Sequence, residues 1–191
     1  MPKKYQKLLD RRKECIKLYK KTNNDNYLRE DDSILHVLGA GGIENYEFIV
    51  DFCTKNNITF VYDIGAAYGH QSEMFLQNNE DIIYVGVEAQ ANELRNFWNN
   101  DKYTYIQGKY PCELNPKGND LAISVLCLGW NCYLYEGEKT INEQFKALSK
   151  DFEHALIFAP HETKEIAEKY FKEVSFLKSK EEIGTFIYMT N

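Results

Sequence analysis

The densest cluster of chemistry-bearing residues is VYDIGAAYG at 61–69. An apolar run reaches Asp63 and then gives way to the small residues Gly65, Ala66, Ala67 and Gly69. Small residues let a backbone approach a ligand closely, and a helix that follows such a turn offers free N–H groups. Nineteen residues beyond Gly69, a second apolar run, YVGV, ends in Glu88. An acid at that distance can accept both hydroxyls of a ribose, so the two features together point to a nucleoside ligand. Taken singly, the glycines make a tight turn and Glu88 is a solvated strand-end charge; neither reading explains the two in register. Further candidates follow the later apolar runs: Asn131, Tyr133 and Tyr135 after 121–128, and His161 after 155–159. Histidine titrates nearest neutral pH, which makes His161 the candidate general base, with Tyr133 the second catalytic candidate.

These residues need a scaffold that gathers them at one edge. Runs of strand length occur at 60–64, 82–87, 103–107, 121–128, 155–159, 174–177 and 185–189. Most are continuously apolar, as strands of a parallel sheet covered on both faces should be. Helix-length segments lie between them at 70–79, 91–99, 141–152 and 161–172; the third opens on a capping-box pattern, Thr140 with Glu143. Such alternation predicts parallel strands joined by right-handed crossovers, with ligands held beyond the strands' carboxyl ends. The last two runs are separated by KSKEEIG, too short for a crossover, and are expected to pair as an antiparallel hairpin. Residues 108–120 contain two prolines and two glycines, so the helix expected before the fourth strand is lost or reduced.

Ahead of the sheet, residues 4–20 and 44–57 each carry an apolar helical stripe, with turn formers at 22–26 and a Gly-rich loop at 39–42. The expected organisation is an N-terminal helical extension or cap over 1–57 and a nucleoside-binding domain over 58–191. The cap is expected to close over the ligand crevice, with 39–42 as its covering loop; helices packed on the sheet's flank are the alternative.

Composition narrows the function classes. The 191 residues are 43% hydrophobic and 27% charged, with fourteen Tyr and eleven Phe, which describes an ordered globular chain. The longest apolar runs are seven or eight residues, against roughly 18–20 needed to span a bilayer. No secretion signal precedes them, and the five cysteines are scattered, so a cytoplasmic protein without disulfides or membrane contact is expected. The four histidines lack metal-ligand spacing, and no metal is expected. Net charge is −6, divided between +7 in residues 1–21 and −13 in the remainder. An acidic body argues against nucleic acid as a partner; the basic arm is the single feature in its favour, and a solvated helix or one docked on its own acidic body accounts for it equally.

The residues at 61–69 and 88 resemble those of the class I S-adenosylmethionine-dependent methyltransferases, whose first motif is an apolar strand, an acid and a G-x-G-x-G turn. Gly65 and Gly69 match the outer glycines, and Ala67 stands at the central one. The resemblance spans about 44–191 and implies a Rossmann-like, seven-stranded, mostly parallel sheet with a C-terminal antiparallel hairpin and helices on both faces. It implies S-adenosylmethionine as cofactor, Asp63 at its amino-acid end, the backbone of 65–69 including Tyr68 against it, and Glu88 with Ala89 at the ribose. The adenine would lie near Gln107 and Gly108, where many members have an acid that this chain lacks. The implied activity is methyl transfer to a small-molecule acceptor, an in-line displacement in which the protein chiefly aligns the two reactants. A catalytically silent binding module, or a different reaction of the same cofactor, fits the same residues. A nicotinamide-dinucleotide reading of ILHVLGAGG at 34–42 founders on Glu44, which stands where a third glycine belongs and repels a pyrophosphate.

Overall fold

A computed structural model describes residues 5–39, 42–79, 81–90, 101–125, 127–180 and 184–191. Its strands are β1 (Phe60–Ile64), β2 (Ile83–Glu88), β3 (Tyr103–Gln107), β4 (Leu121–Val125), β5 (His154–Ala159), β6 (Glu173–Lys180) and β7 (Gly184–Thr190). They form one seven-stranded sheet in the order β3-β2-β1-β4-β5-β7-β6. The pairings from β3 through to β5 are parallel, and β7 runs antiparallel to both β5 and β6. The strand pattern, the parallel crossovers and the closing antiparallel pair are those expected from the sequence.

Two layers of helices follow from where the apolar side chains point. The first comprises α1 (Gln6–Thr22), α2 (Asn26–Leu38), α3 (Gly42–Lys55) and α4 (Ser72–Asn78). Leu8, Ile34, Ile49 and Phe75 from these helices share one cluster with Val61, Tyr84, Ile123, Leu156 and Phe186 of the sheet. On the opposite face, α5 (Glu138–Asp151) and α6 (Thr163–Ala167) pack Ile141, Phe145, Leu148 and Ile166 against Tyr62, Val85, Ala122 and Ile157. Successive strand residues alternate between the clusters, Val61 in the first and Tyr62 in the second, as the period of two requires.

Several elements differ from the sequence expectation. ILHVL belongs to a third N-terminal helix, α2, whose buried Glu30, Ile34, Val37 and Leu38 recur at helical spacing. The chain before 39–42 is therefore no strand, which removes the dinucleotide reading on structural grounds. The expected capping box does not form: α5 begins at Glu138 after Gly137, and the Thr140 hydroxyl bonds back to the Glu136 carbonyl. The fourth run is strand only to Val125, because Ser124 Oγ donates to Ile64 O (2.7 Å) and accepts from the Leu128 N–H (3.0 Å), winding the chain into a π-helical segment, Cys127–Glu136. The run at 161–172 is a helix only over Thr163–Ala167, followed by turns. Residues 91–99 lie outside the described residues, and among the described residues of 108–120 there is no helix.

The basic arm docks on the acidic body. The Arg11 guanidinium, 6% exposed, meets the fully buried Glu30 carboxylate through two bonds of 2.8 and 2.9 Å, a planar fork matched to a planar acceptor. Arg12 pairs with Asp31 at 2.8 Å, and Lys7 with Glu73. Among the described residues no helix is long and apolar enough to cross a membrane.

Candidate functional site

The carboxyl ends of β1, β2 and β3 lie side by side, because Asp63 is in register with Gly86, and Glu88 with Gln107. Chain leaving β1 turns sharply: Gly65, Ala67 and Gly69 take φ values of +83°, +47° and +74°. Glycine reaches that region freely, whereas alanine at 67 is held there at a cost. The Gly65 and Ala66 N–H groups both donate to Val87 O (2.8 and 3.1 Å), and the Gly69 N–H returns to Ala66 O (2.7 Å). Close neighbours also require the small residues. A Cβ on Gly65 would run into the Cys127 side chain, and one on Gly69 into the Tyr103 hydroxyl.

Glu88 faces this turn. Its Oε2 accepts the Ala67 N–H at 3.0 Å and its Oε1 the Gln90 N–H at 3.1 Å. An ionised carboxylate is acceptor-only, so these oxygens suit the two O–H donors of a ribose diol, which would take the place of the present N–H donors. Gly108 donates its N–H to Glu88 O (2.9 Å), fixing the start of the loop after β3, and the Tyr105 hydroxyl donates to Ala67 O (3.3 Å). The donors, acceptors and bare backbone present here fit a nucleoside cofactor. The structure thus gathers Asp63, Gly65, Ala67, Tyr68, Gly69, Glu88, Ala89, Gln107 and Gly108 along one edge.

Asp63 sits deeper than its neighbours. The strand period points it into the first helical layer, where it is 1% exposed and accepts from Gln71 Nε2 (2.7 Å) and from the Tyr84 hydroxyl. Burial pushes its carboxyl up to about 6, against the pull of the Tyr84 and Gln71 bonds. Behind it, Tyr84 stacks on Tyr103 with centroids 5.5 Å apart. On the other side of the turn, Tyr68 donates to Asn26 O (3.2 Å), and the buried His70 Nε2 stands 3.3 Å from Glu30 Oε1. Burial lowers the His70 pKa, with Glu30 opposing it. Burial alone would raise Glu30, but His70 and Arg11 outweigh it and hold the carboxyl below its ordinary value.

The two catalytic candidates follow β4 and β5. His161 is exposed in the turn after β5, and its ring packs edge-on against Phe176 of β6, the strand at the far end of the sheet (centroids 5.2 Å apart). Tyr133 belongs to the π-helical segment after β4, and its side chain lies outside the described residues. Sequence reasoning missed Gln71, Tyr84, Tyr103 and Tyr105. The tyrosines read as ordinary strand aromatics, and only the unusual run of polar residues HQSE opening α4 hinted at Gln71.

No protein-family model matches the chain, and no curated protein matches it. Solved structures do. A protein from Nostoc punctiforme assigned as an O-methyltransferase is 12% identical over 87% of this chain and 59% of its own, with a TM-score of 0.65. Human N-acetylserotonin methyltransferase, solved with S-adenosylmethionine, is 9% identical over 91% of this chain and 57% of its own (TM-score 0.64). The methyltransferase domain of a bacterial Hen1 protein is 15% identical, with 77% of this chain and 97% of that domain covered (TM-score 0.59). The chain thus spans less than two thirds of the length of the first two structures. With the strand order and the closing antiparallel pair, these likenesses establish that the chain has the fold of the class I S-adenosylmethionine-dependent methyltransferases.

Proposed function

We propose that this chain binds S-adenosylmethionine across the carboxyl ends of β1 and β2 and transfers its methyl group to a small-molecule acceptor. The observation that carries this reading is the contact between the Glu88 carboxylate and the Ala67 N–H, which sets a diol acceptor directly over a turn with three left-handed residues. When bound, the cofactor supplies an electrophilic methyl group on a sulfonium. The protein's own part is alignment. Glu88 holds the ribose, the 65–69 backbone receives the amino-acid end, and Gln107 with Gly108 borders the base. Asp63 stabilises the turn from beneath. The packing of His161 on Phe176 favours an acceptor that needs no base from this residue, or a silent binding module. Helices α1 to α3 flank the sheet, and in this reading their corner at Asn26 borders the cofactor, supported by the Tyr68 bond to Asn26. Hydrogen exchange at 36–39 and 42–46 should slow on cofactor binding if they close over it.

Isothermal titration with S-adenosylmethionine and S-adenosylhomocysteine tests the core of the proposal. Both should bind, and Glu88→Ala should weaken them by about 1–3 kcal/mol, the cost of leaving two hydroxyls unmet. Unchanged affinity in the folded variant, or saturable binding of NAD or NADP instead, would reject it.

A further inference from the structure

Gln71 makes two bonds that its neighbours make obligatory. Its Nε2 donates to Asp63 Oδ2 at 2.7 Å and to Ala66 O at 2.9 Å. Both targets are acceptors, and Asp63 and Gln71 are 1% and 5% exposed. A neutral side chain serving both must offer two hydrogens from one atom, which a primary amide does. Glutamate of the same length would bring a third acceptor to the same point. Lysine would add a buried charge.

The second bond has a consequence across the turn. Ala66 O and the Ala67 N–H belong to one peptide plane, and a planar trans peptide points the two in opposite directions. Gln71, together with the Gly69 N–H, grips the carbonyl end, and Glu88 Oε2 receives the N–H end at 3.0 Å. Holding the carbonyl therefore fixes where the N–H points. It also holds Ala67 at φ +47°, a conformation an alanine leaves when that plane rotates.

We propose that Gln71 is a positioning residue of the cofactor turn: its amide locks the Ala66–Ala67 peptide plane and so sets the place at which Glu88 meets the ribose. The role rests on the cofactor reading above, because it concerns the same turn. Gln71 touches neither the cofactor nor the acceptor. It acts through Ala66, with Asp63 and Tyr84 as the fixed base behind it.

The test compares Gln71→Met, which keeps the length and loses both donors, and Gln71→Glu, which keeps the length and offers at most one, with Phe145→Leu, a core change in the opposite layer. Phe145→Leu calibrates what lost stability alone does. The readouts are Gly69 amide exchange in the ligand-free protein, whose N–H shares the Ala66 carbonyl, and S-adenosylmethionine affinity well below each melting temperature. Both Gln71 variants should exchange Gly69 at least about tenfold faster than the control at equal stability, and bind about tenfold more weakly, as loss of buried donors implies. Exchange equal to that of the control overturns the proposal. Failure of the natural protein to bind S-adenosylmethionine defeats the cofactor reading instead, and Gly69 exchange still decides the role of Gln71. Should neither variant fold, the natural protein's Gln71 side-chain amide protons decide: two resolved, slowly exchanging signals support the lock, and solvent-averaged ones overturn it.

Discussion

The two halves of the sheet's carboxyl edge are built differently. Around β1 and β2, polar groups are mutually bonded: the buried Asp63 takes Gln71 and Tyr84, Ala66 takes Gln71 and Gly69, and the half-buried Glu88 takes Ala67. Around β4 and β5, the chain opens into a π-helical segment with Leu134 and Tyr135 52% and 82% exposed, and His161 lies on the outside against Phe176. The first half is assembled before any ligand arrives. In the second, the buried Ser124 and Thr163 hydroxyls bond to nearby backbone, and the large side chains Leu134 and Tyr135 face outward. A preformed half suits a cofactor that never varies, because its recognition geometry needs no adjustment on binding. An open half suits an acceptor chosen by surface residues, which diverge fastest.

If the first half is the rigid one, disturbing it should be costly. The largest effect belongs to Arg11→Met, which leaves the buried Glu30 carboxylate without its two-bond partner beside His70. Urea unfolding should show a loss of about 3–5 kcal/mol, as for other broken buried pairs. A loss below about 1 kcal/mol would mean that the first half is no more tightly built than the second. Next comes Gly69→Ala, where a Cβ would meet Tyr103 in a left-handed residue at φ +74°. Strain and overpacking together predict about 2–4 kcal/mol by thermal or chemical unfolding.

Asp63 sharpens the comparison through pH. Its folded carboxyl is raised to about 6 from an ordinary 3.8, with burial the chief cause. Between those values the folded protein holds a proton that the unfolded chain releases, so this group's contribution is full below about pH 4 and is lost as pH rises through about 6. Asparagine does not titrate. From pH 4 to pH 7 the stability of Asp63→Asn should therefore rise relative to the natural protein by about 2–3 kcal/mol, whatever its constant offset. A difference independent of pH would show that Asp63 ionises normally. The smallest effect is expected where the halves meet at the surface. Lys109 and Glu136 pair at 3.5 Å with both side chains well exposed, and Lys109→Ala should change stability by no more than about 0.5 kcal/mol.

The same contrast explains what the sequence disclosed. Features of the first half are local: a strand, a small-residue turn and an acid nineteen residues on are read along the chain, and the sheet returns them in register. The fold was legible for a related reason, since continuous apolar runs alternating with helical stripes leave few arrangements. What escaped depends on contacts distant in the chain. Gln71 acquires its role from Asp63 and Ala66, and Tyr103 from the space Gly69 leaves. Helix α2 was overlooked because its buried face includes Glu30 and Asp31, which read as surface until Arg11 and Arg12 arrive from another helix. Strand β4 stopped early because Ser124 found a carbonyl on β1, a partner sixty residues away.

Glycine amides offer the most direct test of the central claim, that the turn after β1 and the ends of β2 and β3 form the S-adenosylmethionine site. Gly65, Gly69 and Gly108 line that edge, whereas Gly118 stands in an open loop ahead of β4, at the opposite end of the strands. Titrating S-adenosylmethionine into 15N-labelled protein should move the first three amide resonances along one saturable curve and leave Gly118 in place. A saturable shift confined to Gly118, or no shift at Gly65 and Gly69 at saturating cofactor, would contradict the account.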